Sequence, residues 1–242
     1  MAPRAWIGTS GWTYRDWRGP FYPAKLRQAG ELAHYAGVFD TAEINGSFYR
    51  LPSQAAVAGW RERTPEGFVF AWKVPRYLTH YRRLKDAAES VELIYGRMEG
   101  LGEKRGPALF QLPPQLKRDD ERLAGFLPLL AGRGRAVFEF RDPGWYAPEV
   151  LELLRAHEVA LCVSDHAAAV APWVVTASFA YVRGHGPSGR YHGSYDDTQL
   201  EDWAAKLRDW RGAGLETFSY FDNDIGAAAP VDASRLARLV AD

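Results

Sequence analysis

Three pairs of polar residues, Glu43/Asn45, Glu139/Arg141 and Arg183/His185, each stand at the end of a short apolar run, two positions apart. In an extended chain residues two apart share a face, so each pair presents both members together, with Phe138 and Phe140 on the face opposite Glu139 and Arg141. Lys73 and Gln111 end two further runs, Asp165 follows another, and Asp222 and Asn223 follow the last. Where such ends converge, these residue types suit acid–base chemistry on an anionic ligand. Glu43 or Glu139 would be the general base and His185 an acid or base, with Asp165 as a further catalytic carboxylate. Lys73, Arg141 and Arg183 would hold the anion, with Asn45, Gln111 and Asn223 as polar contacts. The opposing reading is a buried network in which the same acids and bases neutralise one another.

A second chemistry uses some of the same residues. Glu139, Asp165, His185 and Asp222 follow four successive runs, an order similar to the acid-and-histidine set of barrel isomerases and abasic-site endonucleases that use divalent metals. Oxygen ligands with one imidazole suit manganese, magnesium or zinc. Arg141 and Arg183 beside them oppose a dication, so an anion site is favoured and no cofactor is assigned.

Two further segments bear on the ligand. Lys73–Lys85 carries Arg76, Arg82, Arg83 and His80 without an acid, interleaved with Tyr77 and Tyr81, a pattern that tracks a phosphate backbone and stacks a base. Gly184–Arg190 is glycine-rich, and its N–H groups are expected to face an anion. The segment after the first run crowds Trp12, Tyr14, Trp17, Phe21 and Tyr22, which would either wall a ligand site or seal the molecule with a local aromatic cluster.

The elements that must position these residues follow from periodicity. Apolar runs end near Ile7, Ile44, Trp72, Phe110, Phe138, Val163, Val182 and Tyr220, on average about 30 residues apart, the size of a βα unit. Between them, segments with a 3.6-residue apolar period predict helices over Lys25–Tyr35, Ser53–Arg63, Ala87–Leu101, Glu121–Leu130, Pro148–His157, Asp196–Trp210 and Val231–Val240. Eight such units predict one α/β domain over 1–242, a (β/α)8 TIM-type barrel. The interval from Val163 to Val182 contains Pro172 and is too short for a full unit, so a degenerate sixth helix is expected.

Composition narrows the classes. The 242 residues carry 30 Lys+Arg against 30 Asp+Glu, which disfavours a dedicated polyanion-coating protein. Apolar residues at 47% exclude a disordered chain. The single Cys162 precludes an internal disulfide, and the amino-terminal stretch reads as mature sequence, so a cytoplasmic protein without a membrane span is expected. Several reaction types fail by position. Gln111 and Arg183/His185 stand where the commonest barrel glycosidases carry carboxylates. Cys162 lies inside an apolar run, and Ser10, Ser47 and Ser164 lack a nucleophile elbow. Asp222–Gly226 lacks the distal Glu of a calcium loop and reads as a turn capping the last helix.

The chain also resembles a known family, the YecE-like proteins, a domain of unknown function with a TIM-barrel fold. The resemblance runs through Ile7-Gly-Thr-Ser-Gly-Trp12, Trp17 and Phe21-Tyr-Pro23, then Glu43-Ile-Asn45, Ser47-Phe-Tyr49 and Pro52. It continues in Trp72-Lys73, Thr79-His80, Leu109-Phe-Gln-Leu-Pro-Pro114, Phe138-Glu-Phe-Arg141 and Trp145. The last matching stretches are Tyr181-Val-Arg183, His185-Gly186, Tyr191, Tyr195, Phe221 and Asn223-Asp224. Gly184 departs from a position usually bulky and apolar in that family, and Asp222 and Asp232 from positions that are often Asn. The resemblance implies the barrel but brings no agreed reaction. Read together, the residues favour an enzyme binding an anionic small molecule or phosphoester at the mouth of the barrel, with Trp12, Tyr14 and His80 among its walls. A metal-dependent sugar isomerase or phosphodiesterase, and a non-catalytic module binding nucleic acid or another ligand, are the alternatives.

Overall fold

The computed structural model describes residues 3–241. Its strands are β1 (Ala5–Thr9), β2 (Thr41–Ile44), β3 (Val69–Lys73), β4 (Arg105–Gln111), β5 (Ala136–Glu139), β6 (Ala160–Ser164), β7 (Phe179–Gly184) and β8 (Glu216–Phe221). All pair in parallel in the order β1-β8-β7-β6-β5-β4-β3-β2, as a TIM-type barrel requires. The helices are α1 (Glu31–Ala36), α2 (Gln54–Glu62), α3 (Ala88–Met98), α4 (Asp120–Phe126), α5 (Pro148–Ala156), α6 (Asp197–Gly212) and α7 (Ala228–Ala241). Among the described residues no α-helix lies between β6 and β7, which is the degenerate unit expected from its length. No helix of the described residues is long and apolar enough to cross a membrane.

Local chemistry explains most helix boundaries. Ser53 caps α2 by accepting the Ala56 N–H at 3.1 Å, and Asp196 with Gln199 forms a reciprocal capping box on α6. The helix expected over Glu121–Leu130 stops at Phe126, and residues Leu127–Leu130 tighten into a 3-10 turn around Pro128, which cannot donate to the preceding turn. The helix expected from Lys25 begins only at Glu31, after a 3-10 turn over Gln28–Gly30. Its poor nucleus contains Gly30, a weak helix former.

Period-2 alternation divides the strands between two cores. Trp6, Ala71, Leu109, Val137, Ala160, Cys162, Phe179, Tyr181, Phe218 and Tyr220 fill the barrel interior. The residues between them, such as Phe70, Trp72, Phe110, Phe138 and Val182, pack outward against the helices. Cys162 is therefore a core thiol, as its apolar run implied.

The barrel closes differently from its other seams. Between β1 and β2 the backbone contact is reduced to one bridge, Ser10 with Glu43, and the Gly11 N–H donating to the Glu43 carbonyl at 2.8 Å. Lower down, the hydroxyl of Tyr35 replaces a ladder bond: it accepts from the Thr9 N–H at 2.9 Å and donates to the Thr41 carbonyl at 3.0 Å. Gly8 is required for this approach, because a Cβ there would lie 2.3 Å from the Thr41 carbonyl oxygen and 2.8 Å from the tyrosine hydroxyl.

Candidate functional site

Extending the inward parity of the strands by one or two residues carries polar side chains over the apolar interior. Glu43, Lys73, Gln111, Glu139, Arg141, Ser164, Arg183, His185 and Asp222 are all buried at this carboxyl-terminal mouth, where barrel enzymes place their sites.

Arg183, with no exposed surface, is its centre. Nε and Nη2 grip Glu43 at 3.1 and 2.8 Å, Nη1 reaches Glu139 at 3.0 Å, and Nη2 also reaches Asp222 and Ser10 Oγ, each at 3.0 Å. Burial opposes the charge, but Glu43, Glu139 and Asp222 outweigh it and hold the guanidinium firmly protonated. Arg183 has no donor left for a ligand, so it orders carboxylates and does not serve as the anion holder expected from its type.

The two glutamates expected as general bases are equally engaged. Glu43 accepts from Arg183 on both oxygens, from Ser10 Oγ on one and from Tyr181 at 2.6 Å on the other. Glu139 lies 2.6 Å from Arg141 Nη2 and 3.0 Å from Arg183 Nη1, and it accepts from Gln111 Nε2 at 2.8 Å. Burial works against its ionisation, yet Arg141 and Arg183 hold its carboxyl well below the ordinary glutamate range. A base needs a lone pair turned toward its substrate; here the arginines occupy those directions. Gln111, expected as a ligand contact, spends its amide on Glu139.

His185 is buried between acids and arginines. Arg141 Nη2 and Arg183 Nη1 both lie 3.1 Å from its Nε2, and a guanidinium can only donate. Nε2 therefore carries the lone pair and Nδ1 the proton, which points at Asp165 Oδ1, 3.1 Å away. Asp165 also accepts the His185 backbone N–H at 2.7 Å and the Tyr195 hydroxyl, so it fixes the ring and the loop in place of meeting substrate. The structure does bring Glu139, Asp165, His185 and Asp222 around one imidazole, but the arginines claim the ring nitrogen that faces Glu139 and Asp222. Among the described residues no three His, Cys, Asp or Glu side chains form a group able to hold a metal ion. As they are arranged, the donors do not fit the divalent metal weighed as the alternative to an anion.

Other expectations are relocated. Asn223 follows Asp222 by one, so alternation turns it outward; it donates to the Gly193 carbonyl at 2.7 Å and to Asp232 at 2.9 Å, tying the β7–α6 loop to α7. Its carbonyl accepts the Ala229 N–H at 3.1 Å, as expected of a turn capping the last helix. In the glycine-rich segment after β7, the N–H groups of His185, Gly186 and Gly189, and of Tyr191 just beyond it, are bonded within the protein and do not face an anion. The aromatic first loop divides between the core and open clefts. Trp17 and Tyr22 are fully buried, and with Phe21 they pack near Tyr35 and Phe39 as part of the outer core between strands and helices. Trp12 and Tyr14 instead line open clefts.

Above Arg183 and its partners opens a cleft of about 700 Å³ bordered by Tyr14, Asn45, Phe48, Lys73, His80 and Asp222, together with Tyr49, Arg76, Gln111, Tyr191 and Asp224. A second cleft of about 630 Å³, which includes Trp12 and Trp60, shares Tyr14, Asn45 and Tyr49 with it. Both volumes lie in the range of small-molecule sites. Lys73 is 7% exposed, and no carboxylate of the described residues lies within 4.0 Å of its Nζ, which sits 4.1 Å over the ring of Phe48. Burial, then Arg183, pushes its ammonium down to about 8, against a weaker opposite pull from Glu139, Asp222 and Glu43. His80 is brought down to about 4 by burial and by Lys73, Arg141 and Arg76, so it is neutral at physiological pH.

Residues 6–242 match the model of the family described as "Protein of unknown function DUF72". The chain belongs to the DUF72 family. The UPF0759 protein YunF of Bacillus subtilis is 25% identical over 97% of this chain and 94% of its own length. The UPF0759 protein YecE of Escherichia coli K12 is 30% identical over 59% of this chain and 50% of its own. A DUF72 family protein of Thermotoga maritima superposes with a TM-score of 0.88 at 26% identity, over 98% of this chain and 99% of that one. Within this DUF72 chain, the departure at Gly184 has a packing reason: a Cβ there would lie 2.9 to 3.1 Å from Tyr195, Trp203 and Phe221, which fill the space themselves.

Sequence reading missed several participants in the DUF72 mouth. Ser10 and Tyr181 bond Glu43, and their inward parity with Gly8 and Arg183 was a usable signal. Tyr191 accepts from Arg141 Nη1 at 2.9 Å and holds a left-handed backbone (φ 68°), a strain no local pattern announces. Asp224 borders the cleft, and burial, with Asp222 and Asp16 nearby, raises its carboxyl to about 6.

Proposed function

We propose that the mouth of this barrel binds a small anionic molecule, such as a phosphoester or carboxylate, and performs acid–base chemistry on it. The observation that supports this reading most directly is Lys73, a buried cation opening on a cleft with no carboxylate of the described residues within 4.0 Å. An unpaired buried charge is costly, and an anionic ligand would compensate it. Arg76 on the same cleft adds a second positive charge. The acid–base groups are those of the cleft wall that the Arg183 network does not saturate: Lys73 itself and Asp224, with native values of about 8 and about 6 on either side of neutrality. Calorimetric titration with inorganic phosphate and with citrate tests the reading: saturable binding that Lys73→Met abolishes supports it, and equal binding by both proteins overturns it.

A second reading, recognition of a nucleic-acid end, is favoured by the rim. Tyr49, Tyr77 and Tyr81 are more than half exposed, and the Arg76 guanidinium lies 5.5 Å from the rings of both Tyr49 and Tyr81. Such rings stack bases irrespective of sequence. Binding of a single-stranded oligonucleotide that weakens with salt and is lost in Tyr49→Ala/Tyr81→Ala supports this reading; no binding at low salt removes it.

A further inference from the structure

We propose that Lys73 is a carbonyl-reactive amine that forms an imine with an anionic oxo compound, a 2-oxo acid or a phosphorylated aldehyde or ketone, held in the cleft. This rests on the reading that the cleft takes a small anion, and it names the class of anion and the reacting atom.

The geometry sets Lys73 apart from other lysines. Lys104 Nζ donates to the carbonyls of Arg61 and Thr64, each at 2.7 Å, and Lys117 pairs with Asp142 at 2.5 Å. Lys73 Nζ has no hydrogen-bond acceptor among the described residues and lies against the face of Phe48. Its backbone is fixed: the Lys73 carbonyl accepts the Ser47 hydroxyl at 2.6 Å, and the next residue, Val74, donates to Leu109 at 2.9 Å. An amine held at the end of a rigid strand, desolvated and free of a carboxylate, has the setting in which lysines act as nucleophiles. The charged groups acting on it are Arg183 of β7, Glu139 of β5, Asp222 beyond β8 and Glu43 of β2; Arg76 and the neutral His80, on its own loop, border the same cleft. Their balance leaves a share of neutral amine near neutrality.

The step balances within the cleft. The neutral amine adds to the carbonyl carbon, forming a C–N bond, and one amine proton moves to the oxygen. Asp224 on the cleft wall gives its proton to that hydroxyl, water leaves, and the nitrogen retains its second proton as an iminium. Arg76 holds the anionic group of the substrate.

The test incubates the protein with pyruvate, and separately with glyceraldehyde 3-phosphate, in the presence of cyanoborohydride, and maps the adduct by peptide mass spectrometry. One reduced adduct on Lys73, saturable in the probe and suppressed by inorganic phosphate, is expected. Absence of any adduct, or one spread evenly over Lys25, Lys85, Lys104, Lys117 and Lys206, overturns the proposal. Lys73→Arg keeps the charge and separates the two readings: it is expected to bind phosphate and yield no adduct. Wild-type binding of phosphate without trapping overturns imine formation alone; absence of both overturns the anion site with it. Should Lys73→Arg not fold, Asp224→Asn provides the second measurement, with slower trapping and phosphate binding retained expected; unchanged trapping overturns its role as the acid.

Discussion

Two clusters share one end of this barrel and differ in how their valences are used. Around Arg183, five protein side chains take its donors directly, and Glu43, Glu139 and His185 each meet more than one partner. A few ångströms above, Lys73 faces a cleft with no ionic partner among the described residues. The residue types are alike: cations and carboxylates at strand ends. The difference teaches that a charged side chain in a barrel mouth is a functional group only when the protein has not already spent its hydrogen bonds. The Arg183 cluster is a polar plug that shapes the floor, and the Lys73 cleft is where chemistry has room.

The most severe test of this contrast is Arg183→Met. It would leave buried Glu43 and Asp222 without their guanidinium and Glu139 with Arg141 alone, and removing one member of a buried pair costs roughly 3–5 kcal/mol, so loss of soluble protein or a collapse of the denaturant midpoint is expected. A variant as stable as the parent would break the comparison. Lys73→Met should move stability the other way. A lysine whose native value is about 8 against 10.5 costs stability wherever the native state must hold it charged, below about pH 8, and the cost vanishes as pH rises through 10.5. The substitution should therefore stabilise the protein by roughly 2–3 kcal/mol at pH 7, with a gain that shrinks in urea titrations at pH 9 and 10.

Glu139 carries the opposite sign. Its depressed native value contributes stability that is fully present above the ordinary glutamate range and lost as pH falls through that depressed value. Acid unfolding curves should be shallower in Glu139→Gln than in the parent. Tyr181→Phe removes one of the four hydrogen bonds on Glu43 and should cost about 1–2 kcal/mol by chemical denaturation. His80→Ala, on the open side, should change stability by less than about 0.5 kcal/mol. Its effect should appear in the affinity for phosphate; a loss as large as that of Tyr181→Phe would place His80 in the plug.

Much of this architecture is legible in one dimension. The spacing of apolar runs gives the eight strands, and the shortness of the interval around Pro172 gives the missing helix. Ser53 and Asp196 announce their helices because a cap is a local contact. The gathering of Glu43, Lys73, Glu139, Arg183 and His185 at one mouth also follows, since alternation along each strand fixes which side chains point inward. Roles within the gathering do not follow. Nothing in the order of residues tells that Glu43 will be saturated by Ser10 and Tyr181, each more than thirty positions away, while the Lys73 ammonium lies over Phe48 and pairs with no carboxylate of the described residues.

The sequence by itself determined the period of the strands and the face each polar residue would take, because both depend on neighbours two to four positions apart. The tertiary structure alone decided which donor meets which acceptor. Barrel closure brings β2, β5 and the end of β8 to the guanidinium of β7, and β3 contributes an ammonium that no carboxylate of the described residues meets. Hydrogen bonding saturates at short range, so the order of residues along the chain sets the supply of charges, and only their meeting in space sets which one is left free.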